Sequence, residues 1–89
     1  MQTSSRDSRP VLTVTELNHQ ARATIEQRFN LVWVTGELSN FVRPRSGHWY
    51  FTLKDDSAQV RCAMFVNRNR HARIQPSDGQ QVIVRGRVS

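Results

Sequence analysis

The sequence predicts a mainly-β domain with an N-terminal helix, the helix coming first and four strands after it. Three patterns carry this prediction. Residues 46–66 alternate apolar and polar side chains over two adjacent runs. Residues 14–29 repeat apolar side chains at helical spacing. Residues 80–89 return to valine-rich alternation after a polar connector. The 89 residues suffice for one small domain and not two, and a hydrophobic content of 37% gives it a modest core.

Residues 1–10 are polar and aperiodic, and they read as a disordered tail. Residues 11–30 hold the helix. Thr13-Val14-Thr15-Glu16 matches a capping box, in which the Thr hydroxyl and Glu carboxylate satisfy exposed amides at the helix start. Val14, Leu17, Ala21, Ile25 and Phe29 form its apolar stripe, which either packs on the sheet or docks another segment, and Asn30 is placed to cap its end. His19 has no partner at metal-ligand spacing and reads as a surface residue. The first strand spans residues 31–41. Its opening apolar run suggests cover on both faces, and Gly36 suggests a bulge or bend. Glu37, inside this strand, is expected to pair with a nearby Arg.

The second strand lies within residues 46–56, SGHWYFTLKDD, bounded by turn residues at both ends. Trp49, Phe51 and Leu53 form its dry face; His48, Tyr50, Thr52 and Lys54 form its wet face. A loop over residues 55–58 sets Lys54 opposite Gln59, Thr52 opposite Arg61, Tyr50 opposite Ala63 and His48 opposite Phe65. The dry face then pairs Leu53 with Val60, Phe51 with Cys62 and Trp49 with Met64, and a one-residue slip would break the sorting. Residues 67–79 form a short helical or irregular connector, anchored by Ile74 and turning at Asp78-Gly79. The last strand follows and stops in mid-strand character, as in a fragment of a longer protein.

The net charge of +6 is concentrated in residues 41–73, where seven cations face two carboxylates. Lys54 is the single lysine, and the other cations are arginines, which suit bidentate phosphate contacts and stacking on bases. A polyanion is the natural partner. A membrane is not, because no apolar run could span a bilayer, no signal-peptide core is present and no basic amphipathic helix carries bulky apolar residues. The single cysteine, Cys62, excludes an internal disulfide and fits a reducing, cytoplasmic compartment. On the dry face it reads as a buried thiol rather than a nucleophile. No paired carboxylates, nucleophile–base set or glycine-rich phosphate cradle is apparent, so no catalytic residue, metal or cofactor is expected here.

Three consecutive strands, a connector and a fourth strand correspond over residues 31–89 to an OB-fold, the five-stranded Greek-key barrel, lacking its last strand. Such barrels bind oligonucleotides on the face of strands two and three. Here that face carries His48, Tyr50, Thr52, Lys54, Gln59, Arg61 and Phe65. Tyr50 and Phe65 would stack on bases. Arg61 and Lys54, with Arg43 and Arg45 of a mobile basic loop, would meet phosphates. His48 would hydrogen-bond or stack, and Thr52 and Gln59 would add polar contacts. Trp49 has core parity and Trp33 suits core or helix packing, so both stay outside the site. Three other readings remain open: an ordinary solvent-facing sheet, an RNA-binding barrel, and an assembly module. The last would form a homodimer through its open edge, by edge-strand pairing or strand swapping.

Four stretches add a family resemblance: VTELN at 14–18, VWVTGELSNF at 32–41, SGHWYFTLKDDSAQVRCAMF at 46–65 and DGQQVIVRG at 78–86. Through them nearly the whole chain resembles the N-terminal segment of exodeoxyribonuclease VII large subunits. The resemblance implies a domain that presents single-stranded DNA to a nuclease domain further along such a chain, and small subunits bound through a helical region. The nuclease domain, the helical region and the closing strand are not in this sequence. It implies part of an enzyme that cuts single-stranded DNA to oligonucleotides, with the present segment inactive alone and a divalent metal left open only for the nuclease domain. The resemblance, not the spacing, selects DNA over RNA.

Overall fold

The structure, a computed structural model, describes residues 9–89. The tail expected at 1–10 therefore lies almost wholly outside the described residues. The elements run α1 (Val14–Arg28), β1 (Val32–Val42), β2 (Trp49–Lys54), β3 (Gln59–Met64), α2 (Val66–Asn69) and β4 (Gln81–Gly86). The described chain divides into two units, one reaching Val32 and including Gly86–Ser89, the other Trp33–Arg85.

The first unit holds α1. The capping box forms as the sequence dictates: the Thr13 hydroxyl accepts from the Glu16 amide at 3.1 Å, and Glu16 Oε1 accepts from the Thr13 amide at 3.1 Å. Glu16 in the first turn and Arg28 in the last also complement the helix dipole. The C-terminal end differs from expectation. Phe29 is the cap, its N–H donating to the Ile25 carbonyl at 2.9 Å, and Asn30 does not adopt the left-handed conformation of a capping residue. The Val88 N–H donates to the Phe29 carbonyl at 3.0 Å and satisfies an acceptor at the helix end. No residue of α1 is buried, so its apolar stripe stays exposed.

The second unit is built on one sheet of order β3-β2-β1-β4, the spatial order of a Greek key. β2 and β3 are antiparallel in the register the alternation dictates, from Trp49 opposite Met64 to Lys54 opposite Gln59. β1 pairs antiparallel with β2, Leu38 lying opposite Leu53 and Ser39 opposite Thr52. On the other side of β1, Leu38 exchanges backbone hydrogen bonds with Gln80 and Gly79, and the Thr35 hydroxyl donates to the Val82 carbonyl. The chains there run in opposite directions. β3 and β4 are the two edges, so the sheet is an OB-fold barrel left open between them.

Leu38, Trp49, Phe51 and Leu53 are the buried core, flanked by Phe41, Cys62, Met64, Ala72, Val82 and Val84. Burial pushes the Cys62 thiol up, and a backbone hydrogen bond involving Leu53 only partly opposes this. Val60 has core parity but stays exposed, because β3 is an edge. Ile74, the expected anchor, is also exposed. The turn closed by the Ala72 amide on the Asn69 carbonyl brings Ala72 to the core instead. The opening of β1 is not covered on both faces, since Leu31, Trp33 and Val34 are exposed.

The bulge in β1 is not at Gly36. Gly36 lies in regular strand and serves close approach, because a Cβ there would meet the Lys54 carbonyl oxygen at 3.2 Å and Leu53 Cβ at 3.3 Å. The register shifts between Ser39 and Val42, where Asn40 takes φ 53°. Asn tolerates this left-handed geometry better than most residues. Asp78 fixes the bulge: its Oδ1 accepts from the Phe41 amide at 2.9 Å. The extra residue inverts the parity of all that follows. Val42, not Phe41, lies opposite Tyr50, and Phe41 turns inward onto Trp49 and Phe51.

Candidate nucleic-acid interface

The outer face of β2 and β3 gathers three rings. His48 lies 5.2 Å from Phe65 and 6.5 Å from Tyr50, near-perpendicular to each. Such edge-to-face pairs suit the ring quadrupoles. The register brings His48 and Phe65 together, and one extra local bond holds the imidazole. The Val66 amide, the first residue of α2, donates to His48 Nδ1 at 3.0 Å. Because the donor is a backbone N–H, Nδ1 must accept, which in the neutral ring puts the proton on Nε2. Tyr50 and Phe65 remain exposed, at 37% and 54%. They keep ring surface available for a stacking partner.

The polar residues of this face separate into different roles. Arg61 and Gln59 are exposed on β3, and Arg61 has no carboxylate partner among the described residues. Thr52 is only 7% exposed, on the inner strand of the pair between Ser39 and Arg61, which leaves little of it for a ligand. Lys54 pairs with Glu37 at 3.5 Å, both side chains about half exposed, so part of its charge is spent. The partner of Glu37 is thus Lys54, directly across the strand pair, and not an Arg.

The basic loop divides as well. Arg45 is exposed in a turn closed by the Gly47 amide on the Pro44 carbonyl at 3.0 Å. Arg43 is not on the platform face. It stays exposed, but the parity inversion at Asn40 sets it on the same face as the core rings, with its guanidinium 5.7 Å from the Phe41 ring centre and 5.3 Å from that of Trp49. Far from being loose, the loop is tied down where it enters β2. Asn69 is buried, and its amide donates to the Gly47 carbonyl at 2.8 Å and the Met64 carbonyl at 3.1 Å. Gly47 sits at φ +85°, and a Cβ there would meet Val66 Cγ2 at 3.0 Å.

Sequence reasoning missed Asn69 because it sits inside an arginine-rich connector, and its two acceptors lie five and 22 residues away. It also kept Trp33 for packing. Trp33 is instead exposed, at 68%, beside the Arg85 guanidinium at 5.6 Å. At the far end of β2, Glu37, Lys54, Asp55, Asp56, Ser57 and Gln81 line an open cavity of about 660 Å3. Asp55 there accepts from the Ser57 and Ala58 amides at 2.9 Å each, and these bonds hold its carboxyl below the ordinary range. No group of three acidic, His or Cys side chains among the described residues could hold a metal ion. The outer face therefore has an aromatic, cationic end and an acidic end.

Comparison with known proteins places the domain in a family. Residues 12–89 match the family of OB-fold nucleic acid binding domains. The chain is also similar to the exodeoxyribonuclease 7 large subunit of Enterobacter sp. (strain 638), at 54% identity over 85 residues. That alignment covers 96% of this chain and 19% of the relative, so the chain spans about a fifth of the relative's length.

Proposed function

Because the chain belongs to the family of OB-fold nucleic acid binding domains, we propose that it binds single-stranded DNA on the outer face of β2 and β3. The observation that carries this reading is the His48–Tyr50–Phe65 ring cluster beside the exposed Arg61, which has no carboxylate partner among the described residues. Exposed rings offer bases a sequence-tolerant stacking surface, and the guanidinium offers phosphate a fork. Arg45 and Gln59 extend the path at either end, and Lys54 contributes less than a free cation. The choice of DNA over RNA rests on the relative's name.

In the longer protein, this segment would hold the strand for a nuclease domain elsewhere, as part of a large subunit joined by small subunits through other regions. The segment itself works without a cofactor and does not cleave DNA. Its compartment is the cytoplasm, which suits a reduced Cys62. Among the described residues no helix is long and apolar enough to cross a membrane.

The test is fluorescence anisotropy of a labelled oligothymidylate at two salt concentrations, with duplex DNA as competitor. Salt-sensitive binding that prefers the single strand supports the reading. Binding that is indifferent to salt, or stronger for duplex, overturns it.

A second reading is favoured by the two free sheet edges and the exposed Val60 on one of them. Here the chain pairs with a second copy, edge to edge or by strand swapping. Sedimentation at rising protein concentration would show a dimer that ignores salt.

A further inference from the structure

On the inner side of the sheet, where Arg43 has been turned, a cleft of about 380 Å3 opens between the β1–β2 loop and the segment after β3. Trp49 lines it. Val66 and Ile74 give it apolar surface, and Arg43 and Arg70 line it as the charged groups; no carboxylate does. This is the reverse of the larger cavity, which three carboxylates and one lysine line. The Arg43 guanidinium carbon lies over the Phe41 and Trp49 rings, and neither Arg43 nor Arg70 has a carboxylate partner among the described residues. A cation–π contact uses none of the guanidinium N–H donors, which stay available to an acceptor, and phosphate matches their fork. The volume is near the low end for small-molecule sites and suits a single nucleotide.

The cleft adjoins the ring cluster. Val66 lines the cleft with its side chain while its amide holds His48, and Gly47, the residue before His48, lines it too. We propose that this cleft is a pocket for one nucleoside phosphate of a single strand that continues past Phe65, with Arg43 and Arg70 taking the phosphate and the apolar wall taking the sugar or base. The assignment rests on the DNA-binding reading and extends its path from the outer face to the inner one. It also gives Arg43 a role that its position excludes on the platform.

The pocket carries its own reporter, since Trp49 lines it and Trp33 is the only other tryptophan. In a Trp33→Phe chain, thymidine 5′-monophosphate should quench Trp49 emission and thymidine should not. Arg70→Gln should weaken this quenching about tenfold, the effect of losing one charge-assisted bond, and Tyr50→Ala should leave it unchanged. Arg43→Gln should act like Arg70→Gln. Because Arg43 also covers core rings, Arg70→Gln is the deciding variant, with a thermal melt by circular dichroism to show that it folds. Equal quenching by thymidine, no quenching by either, or full quenching in Arg70→Gln overturns the pocket. Anisotropy of the labelled oligothymidylate with Tyr50→Ala reports separately on the platform. A loss there with no mononucleotide response at Trp49 removes the pocket and keeps the platform.

Discussion

Tyr50 and Phe51 are neighbours in one strand with opposite fates, and they separate binding from folding. Tyr50 is exposed and touches His48, whereas Phe51 is 8% exposed in a core with few buried members. Tyr50→Ala should cost about 1–3 kcal/mol of oligonucleotide affinity, one stacked base, with an unchanged melting curve. Phe51→Ala should cost about 3–5 kcal/mol of stability, which a domain this small cannot spare. Anisotropy and thermal melts of the two variants check the pair, and a Tyr50→Ala chain with wild-type affinity removes the platform. Asn69 acts between these extremes. Asn69→Ala would leave the Gly47 and Met64 carbonyls without their donor, at about 1–3 kcal/mol. Chemical denaturation should show that loss, and the β1–β2 loop should become a protease-sensitive site.

At the scale of elements, the hairpin and the extent of the first strand were legible, and the place of that strand's bulge was not. The β2–β3 register could be read because two alternating runs and a short loop admit one solution, and the loop chemistry is local to Asp55. The α1 start was legible for the same reason, a four-residue capping pattern. The β1 bulge was not. Gly36 is the obvious break in the sequence, but the register shift sits at Asn40, beside the Phe41 amide that Asp78 binds from 37 residues away. No local pattern reveals such a bond, and its consequence, the inward turn of Phe41 and Arg43, moved one expected site residue to the other face. Asp78→Ala should therefore cost about 1.5–3 kcal/mol, the range for a bond to a charged acceptor, and Asp78→Asn should recover most of it in the same denaturation assay. Glu16 gives a test by pH. Its carboxyl is held below the ordinary range by the Thr13 amide first and the Thr13 hydroxyl second. A lowered carboxyl contributes stability above its unfolded value and loses it as pH falls through the lower folded one. Helicity by circular dichroism should fall across that acidic interval, and Glu16→Gln should flatten the response.

Over the whole molecule, charge placement matters more than charge count. The net +6 suggests many phosphate contacts, but the structure distributes the cations unequally. Of the four groups expected to meet phosphate from the sequence, Lys54 is paired with Glu37 and Arg43 faces inward over Trp49. Arg45 and Arg61 remain exposed, with no carboxylate partner among the described residues. A strand confined to the platform would thus meet two phosphate-binding cations, and one that also enters the inner cleft would meet four. Counterion release turns this into a slope of log affinity against log salt, roughly −0.7 per phosphate on a single strand, so about −1.4 for the first path and about −2.8 for the second. We expect the steeper slope for a long oligothymidylate and the shallower one once both Arg43 and Arg70 are changed to Gln. Glu37→Gln frees Lys54 and should steepen the slope by about 0.7 wherever the strand passes it. A slope that stays near −1.4 in every chain confines the strand to the platform. A slope near zero removes phosphate contact altogether and leaves the open sheet edges as the working surface.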